Sequence, residues 1–474
     1  MRTIVGRIEY LKTFQELHQS GKSEFIAVYG RRRVGKTFLI RNAFEGNFTF
    51  QVTGLSNTSL AKQLTNFNLA MRKITPDHDF LLAKDWLTAF QNLITCLELN
   101  SDEKKIVFID ELPWFDTPRS GFISALEHFW NSWASNRNDV LLVACGSAAS
   151  WMINKLINNK GGLHNRVTKR MKIVPFTLYE CEQFLEQKNT LLDRYQIIQL
   201  YMVMGGIPFY WEEVKPGRSA MQNIEDICFS ENGILRNEYK ILFKSLFNKH
   251  EKHSVIAGVL AKKSLGLTRD EIITQTGLPN AGSTSRLLDE LEESGFILKY
   301  KPLGKKTKNS IYQLIDFYTH FYLKFIAESP SGETNQWMNM IDNPRYRAWS
   351  GYAFEQVCLY HLPQIKKALG ISGVQSTSSS WRSTTIKNGA QIDLVIDRRD
   401  QVINLCEMKF SINPFVIDSK YAEELRNKVG TFRTETKTRK SVFISLITTF
   451  GLQPNSYSTG LVQNDIKMDA LFKA

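Results

Sequence analysis

Nothing in this 474-residue sequence approaches the ~18 consecutive apolar residues that a membrane-spanning helix needs, so no membrane-embedded segment is expected. Charge interrupts Met1-Arg-Thr-Ile-Val-Gly-Arg-Ile-Glu9 before an apolar run of about seven can form, which argues against a secretory signal. The six cysteines (96, 145, 181, 228, 358 and 406) contain no CxxC pair, and most lie in apolar stretches such as Val140-Leu-Leu-Val-Ala-Cys145. They read as reduced core residues of a cytoplasmic protein. The eight histidines show no zinc spacing, and their nearest pair, His250 and His253, has no cysteine beside it. Internal repeats are missing, and the one low-complexity tract is Ser376-Thr-Ser-Ser-Ser380.

What the chain does have is length, apolar content and positive charge. At ~150 residues per domain the length suits about three domains, and a 43% apolar share lets each bury a core, which excludes a disordered tail protein. A net charge of +13, concentrated in the C-terminal half, favours polyanionic partners: nucleotide, nucleic acid or an acidic surface.

Residues 25–29, 106–109 and 140–145 are short apolar runs rich in β-formers, the pattern of strands buried on both faces of a parallel sheet. Helical patterns such as Ser59–Lys73 and Phe122–Trp133 alternate with them, so the expected class is α/β. After Pro175 the pattern is helical to about His250, broken at Gly205-Gly-Ile-Pro208, and suits a helical lid over residues 177–250. Three helical patterns and a strand hairpin over 251–326 describe a winged helix. Residues 327–345, with Pro, Gly, Ser and Asn, read as a linker, and 346–474 as a second α/β unit.

Gly30-Arg31-Arg32-Arg33-Val34-Gly35-Lys36-Thr37 matches GxxxxGK[ST] between a predicted strand and a predicted helix. The glycines allow a tight turn that aims backbone N–H groups at phosphate oxygens, and the helix N-terminus adds its dipole. Lys36 would reach the β- and γ-phosphates of ATP, and Thr37 would give its hydroxyl to Mg²⁺. Further on, Lys105-Ile-Val-Phe-Ile-Asp-Glu111 sets two carboxylates at the end of an apolar strand, where an open α/β sheet presents its ligands. Asp110 then joins the Mg²⁺ shell, and Glu111 orients or deprotonates the attacking water. A third strand ends at Cys145-Gly-Ser147, placing Ser147 to face the γ-phosphate. Arg166 and Arg170 are candidate γ-phosphate readers, a role that a solvated basic patch explains equally well.

A second constellation lies near the C-terminus. Gln391–Asp397 and Val402–Lys409 read as strands joined by a turn at Arg398-Arg-Asp400, a hairpin that brings Asp393 alongside Glu407. Side chains alternate along a strand, so Lys409 returns to the face of Glu407. Two carboxylates and a lysine converge in an apolar setting, where unpaired charge is costly and a divalent cation is a natural partner. Glu355, on a helix beginning near Gly351, can join this metal-binding set.

Val5-Gly-Arg7, the phosphate loop, Phe108-Ile-Asp-Glu-Leu112, Cys145-Gly-Ser147, Val174-Pro-Phe176, Gly205-Gly-Ile-Pro208, and then Glu355, Asp393 and Glu407-Met-Lys409 together resemble a family. It is the prokaryotic AAA-type, STAND-related P-loop ATPases that carry a C-terminal domain similar to PD-(D/E)XK nucleases. The resemblance implies an AAA-type core over 1–176, ATP and Mg²⁺ as ligands, a winged helix, and a nuclease-like domain over 346–474 with Asp393, Glu407 and Lys409 as catalytic residues. Ile392 stands where that motif has proline.

Double-stranded DNA is the expected macromolecular partner. Ser283, Thr284 and Arg286 would enter a groove from the third helix of the winged helix, and Lys299, Lys301, Lys305, Lys306 and Lys308 would meet phosphates. Asp289-Glu-Leu-Glu-Glu293 on the same helix opposes that role. The rival reading is a regulatory ATPase or scaffold whose C-terminal domain binds without cutting, and a simple metabolic kinase leaves the winged helix unexplained. A homo-oligomer stays open, because an arginine acting in trans leaves no spacing signature.

Overall fold

The computed structural model describes residues 4–76, 82–158, 161–247, 249–301, 310–329, 335–341, 343–383 and 390–474. Lys305, Lys306 and Lys308, with parts of the 327–345 stretch, lie outside the described residues. The chain forms two compact units: one comprises residues 1–175 with the short pieces 246–248 and 293–295, and the other comprises the remainder.

The first unit is built on a five-stranded sheet of β1 (Glu24–Tyr29), β2 (Phe50–Thr53), β3 (Lys105–Asp110), β4 (Val140–Gly146) and β5 (Lys169–Lys172). All pairings are parallel, in the order β2-β3-β4-β1-β5. The three strands legible as apolar runs are the central ones, and every residue of β3 and β4 is buried. β2 and β5 form the edges, and three of the four residues of β5 are exposed, as suits a charged edge strand. On one side, Phe67, Trp86, Phe90 and Phe122 from helices pack with Phe50, Val107 and Leu142 of the sheet. The resulting core holds the C-terminal ends of β1, β3 and β4 in one row.

In the second unit the helices after Pro175 pack with the C-terminal residues. Thr177 and Glu180 form a capping box at the Leu178–Gln187 helix, and the Leu178 N–H donates to Nε2 of buried His361 at 2.9 Å. From the Arg194–Met204 helix, Arg194 reaches Glu182 and Asp469, each at 2.8 Å, and Tyr195 stacks on Phe410 with centroids 5.1 Å apart.

Residues 250–314 form three helices (His250–Ala261, Arg269–Thr276, Gly282–Glu293) with an antiparallel sheet of β6 (Leu267–Thr268), β7 (Ile297–Tyr300) and β8 (Ile311–Leu314) in the order β6-β8-β7. The last sheet runs β13-β12-β11-β10-β9, from β9 (Ser376–Arg382), β10 (Gln391–Arg398), β11 (Val402–Lys409), β12 (Ser441–Thr448) and β13 (Asn464–Lys467). β9, β10 and β11 pair antiparallel, whereas β12 and β13 join in parallel after the Ser419–Thr436 helix.

Candidate functional site

The phosphate-loop motif joins β1 to the Lys36–Ala43 helix. Its backbone needs its glycines. Gly30 has φ 145°, and a Cβ there would meet Ile173 O at 2.3 Å; Gly35 has φ 86°. Arg33, at φ 69°, is also left-handed, and alternating handedness of this kind turns successive N–H groups toward one concavity. Arg31 and Val34 are buried and Arg32 and Arg33 partly so. Buried Lys36 donates from Nζ to Gly30 O at 3.1 Å, Arg31 O at 3.0 Å and Ser147 Oγ at 2.9 Å.

The ends of β3 and β4 complete the arrangement. The Thr37 hydroxyl donates to Asp110 Oδ2 at 2.8 Å, and Asp110 Oδ1 accepts from Glu111 N at 2.9 Å. Ser147 Oγ donates to Glu111 Oε1 at 2.7 Å, while Ser147 N reaches Glu111 Oε2 at 3.3 Å. Lys36, Ser147 and Glu111 thus form one chain of hydrogen bonds. Glu111 is left-handed (φ 46°, ψ 46°), a conformation that costs a non-glycine residue ~1–3 kcal/mol and is held here by its contacts. Thr37 and Asp110 offer paired hard oxygens that fit Mg²⁺. Arg166 and Arg170 are both exposed, and Arg170 lies on β5 opposite Ala27. Sequence reasoning gave Arg7 no role, yet it is buried, left-handed, and donates to Val34 O of the loop at 3.5 Å.

In the second unit the β10–β11 register pairs Leu394 with Cys406, and Asp393 and Glu407 are the next residues along their strands. Asp393 Oδ2 accepts from Met408 N at 3.1 Å. Lys409 Nζ stands 4.0 Å from Glu407 Oε2. Glu355, on the Pro344–Tyr360 helix, lies within the electrostatic reach of Asp393, Lys409 and Glu407. Burial, then mutual repulsion, pushes the Glu355 and Glu407 carboxyls above the ordinary carboxylate range, and burial raises Asp393 likewise.

Lys428 and Tyr421 of the Ser419–Thr436 helix were not anticipated. Lys428 Nζ lies 2.7 Å from Glu407 Oε2 and 3.1 Å from Glu424 Oε1, and the Tyr421 hydroxyl donates to Glu407 Oε2 at 3.4 Å. Their seven-residue spacing, two helical turns, puts them on one face and was the available signal. Glu407 Oε1 is buried and has no hydrogen-bond partner among the described residues. An orphaned carboxylate oxygen beside a second carboxylate fits Mg²⁺ or Mn²⁺. No three His, Cys, Asp or Glu side chains among the described residues make a complete ligand set, so a cation here would complete its shell with water or main-chain oxygen.

The expected groove-reading residues separate. Ser283 and Arg286 are exposed, but Thr284 is buried and its hydroxyl donates to Pro279 O at 2.7 Å, which removes it from any base edge. Lys299 lies against the Tyr312 ring and Lys301 is exposed. Among the opposing acids, Glu290 bonds His253 at 2.8 Å.

Residues 4–214 match the family model of an ATPase domain found predominantly in Archaea. Together with the loop geometry, that match defines a P-loop ATPase domain. An uncharacterized protein of Methanocaldococcus jannaschii, MJECL04, is 25% identical over 368 residues, 77% of this chain and 78% of its own length. Among solved structures, the Walker-type ATPase PABY2304 of Pyrococcus abyssi aligns with TM-score 0.48 and 15% identity over 68% of this chain and 96% of that one. The ORC2 protein of Aeropyrum pernix, in ADPNP–ADP complexes, aligns with TM-score 0.40 and 15% identity over 71% and 93%. All six cysteines are buried and free, and no helix among the described residues is long and apolar enough to cross a membrane.

Proposed function

We propose that the chain is an ATP-hydrolysing switch that acts on double-stranded DNA, with a C-terminal centre for metal-dependent phosphodiester cleavage. The observation that carries the ATPase reading is the hydrogen-bonded chain from Lys36 through Ser147 to Glu111, at 2.9 and 2.7 Å. With ATP bound, Lys36 exchanges its carbonyl partners for phosphate oxygens, and Glu111 orients or deprotonates the attacking water. Thr37 and Asp110 would hold Mg²⁺, which offsets phosphate charge.

For the second centre, Asp393 and Glu407 would hold Mg²⁺ or Mn²⁺, with water completing the shell and Glu355 within electrostatic reach, and the cation would supply Lewis-acid stabilisation of the phosphate when bound. Lys409 positions a water or stabilises developing negative charge. The 251–326 domain is assigned as a winged helix, with exposed Ser283 and Arg286 facing DNA and Lys301 meeting a phosphate. Supercoiled plasmid with Mg²⁺ or Mn²⁺, in the presence and absence of ATP, tests the cleavage reading: wild type nicks and Glu407→Ala does not. Equal absence of cleavage in both proteins across nucleotide states supports the regulatory alternative. That alternative draws on Lys428, which already neutralises one oxygen of Glu407 without a metal.

A further inference from the structure

The two oxygens of Glu407 live in different surroundings. Oε2 takes every polar contact that the described residues give this carboxylate: Lys428 Nζ at 2.7 Å, the Tyr421 hydroxyl at 3.4 Å and Lys409 Nζ at 4.0 Å. Oε1 takes none and is buried. A carboxylate on a flexible side chain ordinarily exchanges its oxygens by rotating about its terminal torsion. Two donors and the Lys409 ammonium on one side break that symmetry and leave a single oxygen available.

We infer that Lys428, with Tyr421, is a positioning device that pins Glu407 by Oε2 so that Oε1 is presented to a divalent cation shared with Asp393. The inference rests on reading Asp393 and Glu407 as a cation site and adds to it the residue that sets its geometry. Lys428 is itself held by Glu424, one helical turn away, at 3.1 Å, so the ammonium is anchored at both ends. Leu425 of the same helix is buried in one cluster with Ile444 and Leu446 of β12, which docks the helix on the sheet. A lysine that merely replaced the cation would take both carboxylate oxygens or stand between Asp393 and Glu407. No ion pair or hydrogen bond is seen between Lys428 and Asp393 among the described residues.

The test is Mn²⁺ binding to the full chain by titration calorimetry, without DNA and with Lys36→Ala as background so that the phosphate-loop site is blind to nucleotide. Subtracting a Glu407→Gln control isolates the Asp393–Glu407 site. Lys428→Met is expected to weaken Mn²⁺ at that site by ten-fold or more. Lys428→Arg is expected to retain most of the affinity, and Tyr421→Phe to cost a few-fold, with the protein folded by circular dichroism in each case. If Lys428→Met and Lys428→Arg bind Mn²⁺ as tightly as the background, or more tightly, the positioning role is overturned while the cation site stands. If the background protein itself shows no heat beyond the Glu407→Gln control, the cation reading falls and takes this inference with it.

Discussion

Ser147 Oγ donates to Glu111 Oε1 at 2.7 Å while accepting from Lys36 Nζ, so one hydroxyl joins the lysine of the GxxxxGK[ST] motif to the acid at the end of the neighbouring strand. Hydrogen bonds to charged groups contribute ~1.5–3 kcal/mol, equivalent to roughly 10- to 100-fold in rate. Ser147→Ala is therefore expected to lower kcat for ATP hydrolysis by about that factor. ATP affinity should change by only a few-fold, because Lys36 keeps its ammonium. Steady-state hydrolysis and equilibrium nucleotide binding, measured on the same preparation, check the split.

Glu111→Gln keeps the size and hydrogen-bonding reach of the side chain but removes its basicity. Turnover should fall by roughly 10²–10⁴ while ATP remains bound, and Lys36→Ala should lose binding itself. Single-turnover hydrolysis with retained nucleotide counted on a filter separates the two. Wild-type turnover by Glu111→Gln would remove Glu111 from the chemistry.

Gly30 cannot accept a side chain. Its φ of 145° is outside the range of other residues, and the added carbon would meet Ile173 O, a main-chain atom, at 2.3 Å. Gly30→Ala should lower the melting temperature of the ATPase domain and abolish stabilisation by Mg²⁺-ATP. Gly258, by contrast, sits on a helix with nothing within 4 Å of the point an added methyl carbon would occupy, so Gly258→Ala should leave the melting temperature unchanged or slightly raised.

Acid should loosen the second unit through His361. The Leu178 N–H can only donate, so Nε2 carries the lone pair and Nδ1–H donates to Val357 O at 2.8 Å. Burial lowers this histidine to about 4 from 6.5. The folded chain thus binds fewer protons than the unfolded one between these values. The stabilisation is complete above about pH 6.5 and is lost as pH falls through about 4, up to about 3 kcal/mol in all. His361→Gln, which retains an acceptor for Leu178, should flatten the fall of melting temperature between pH 6.5 and 4.

The carboxylates of the second centre behave in the opposite sense. Burial raises Asp393, Glu407 and Glu355 in the folded state, so their protonation stabilises at low pH and that contribution is lost as pH rises through the folded values. Mn²⁺ favours the ionised forms, so its stabilising effect should grow from pH 5 to 8. Melting temperatures across that range with and without Mn²⁺ check this, and Glu407→Gln should reduce the Mn²⁺-dependent difference.

Much of this architecture was legible because its signals are local. Phe25–Tyr29, Ile106–Ile109 and Val140–Cys145 read as strands because a strand buried on both faces must be continuously apolar. β5 escaped because Lys-Arg-Met-Lys is an edge strand whose side chains face water, and its place is decided by backbone pairing to β1. Thr284 misled for the same reason: a hydroxyl on a helix start is compatible with either a groove or a core, and packing chose the core.

The sequence by itself determined the phosphate loop, the strand-end carboxylates and the hairpin that pairs Asp393 with Glu407, since each depends on spacing within one or two adjacent elements. Only the tertiary structure decided that Ser147 would bridge Lys36 to Glu111, and that Lys428 would grip one oxygen of Glu407 and leave the other bare. Those contacts join residues separated by 111, 36 and 21 positions, and their geometry follows from how sheet and helices pack, which no local pattern encodes.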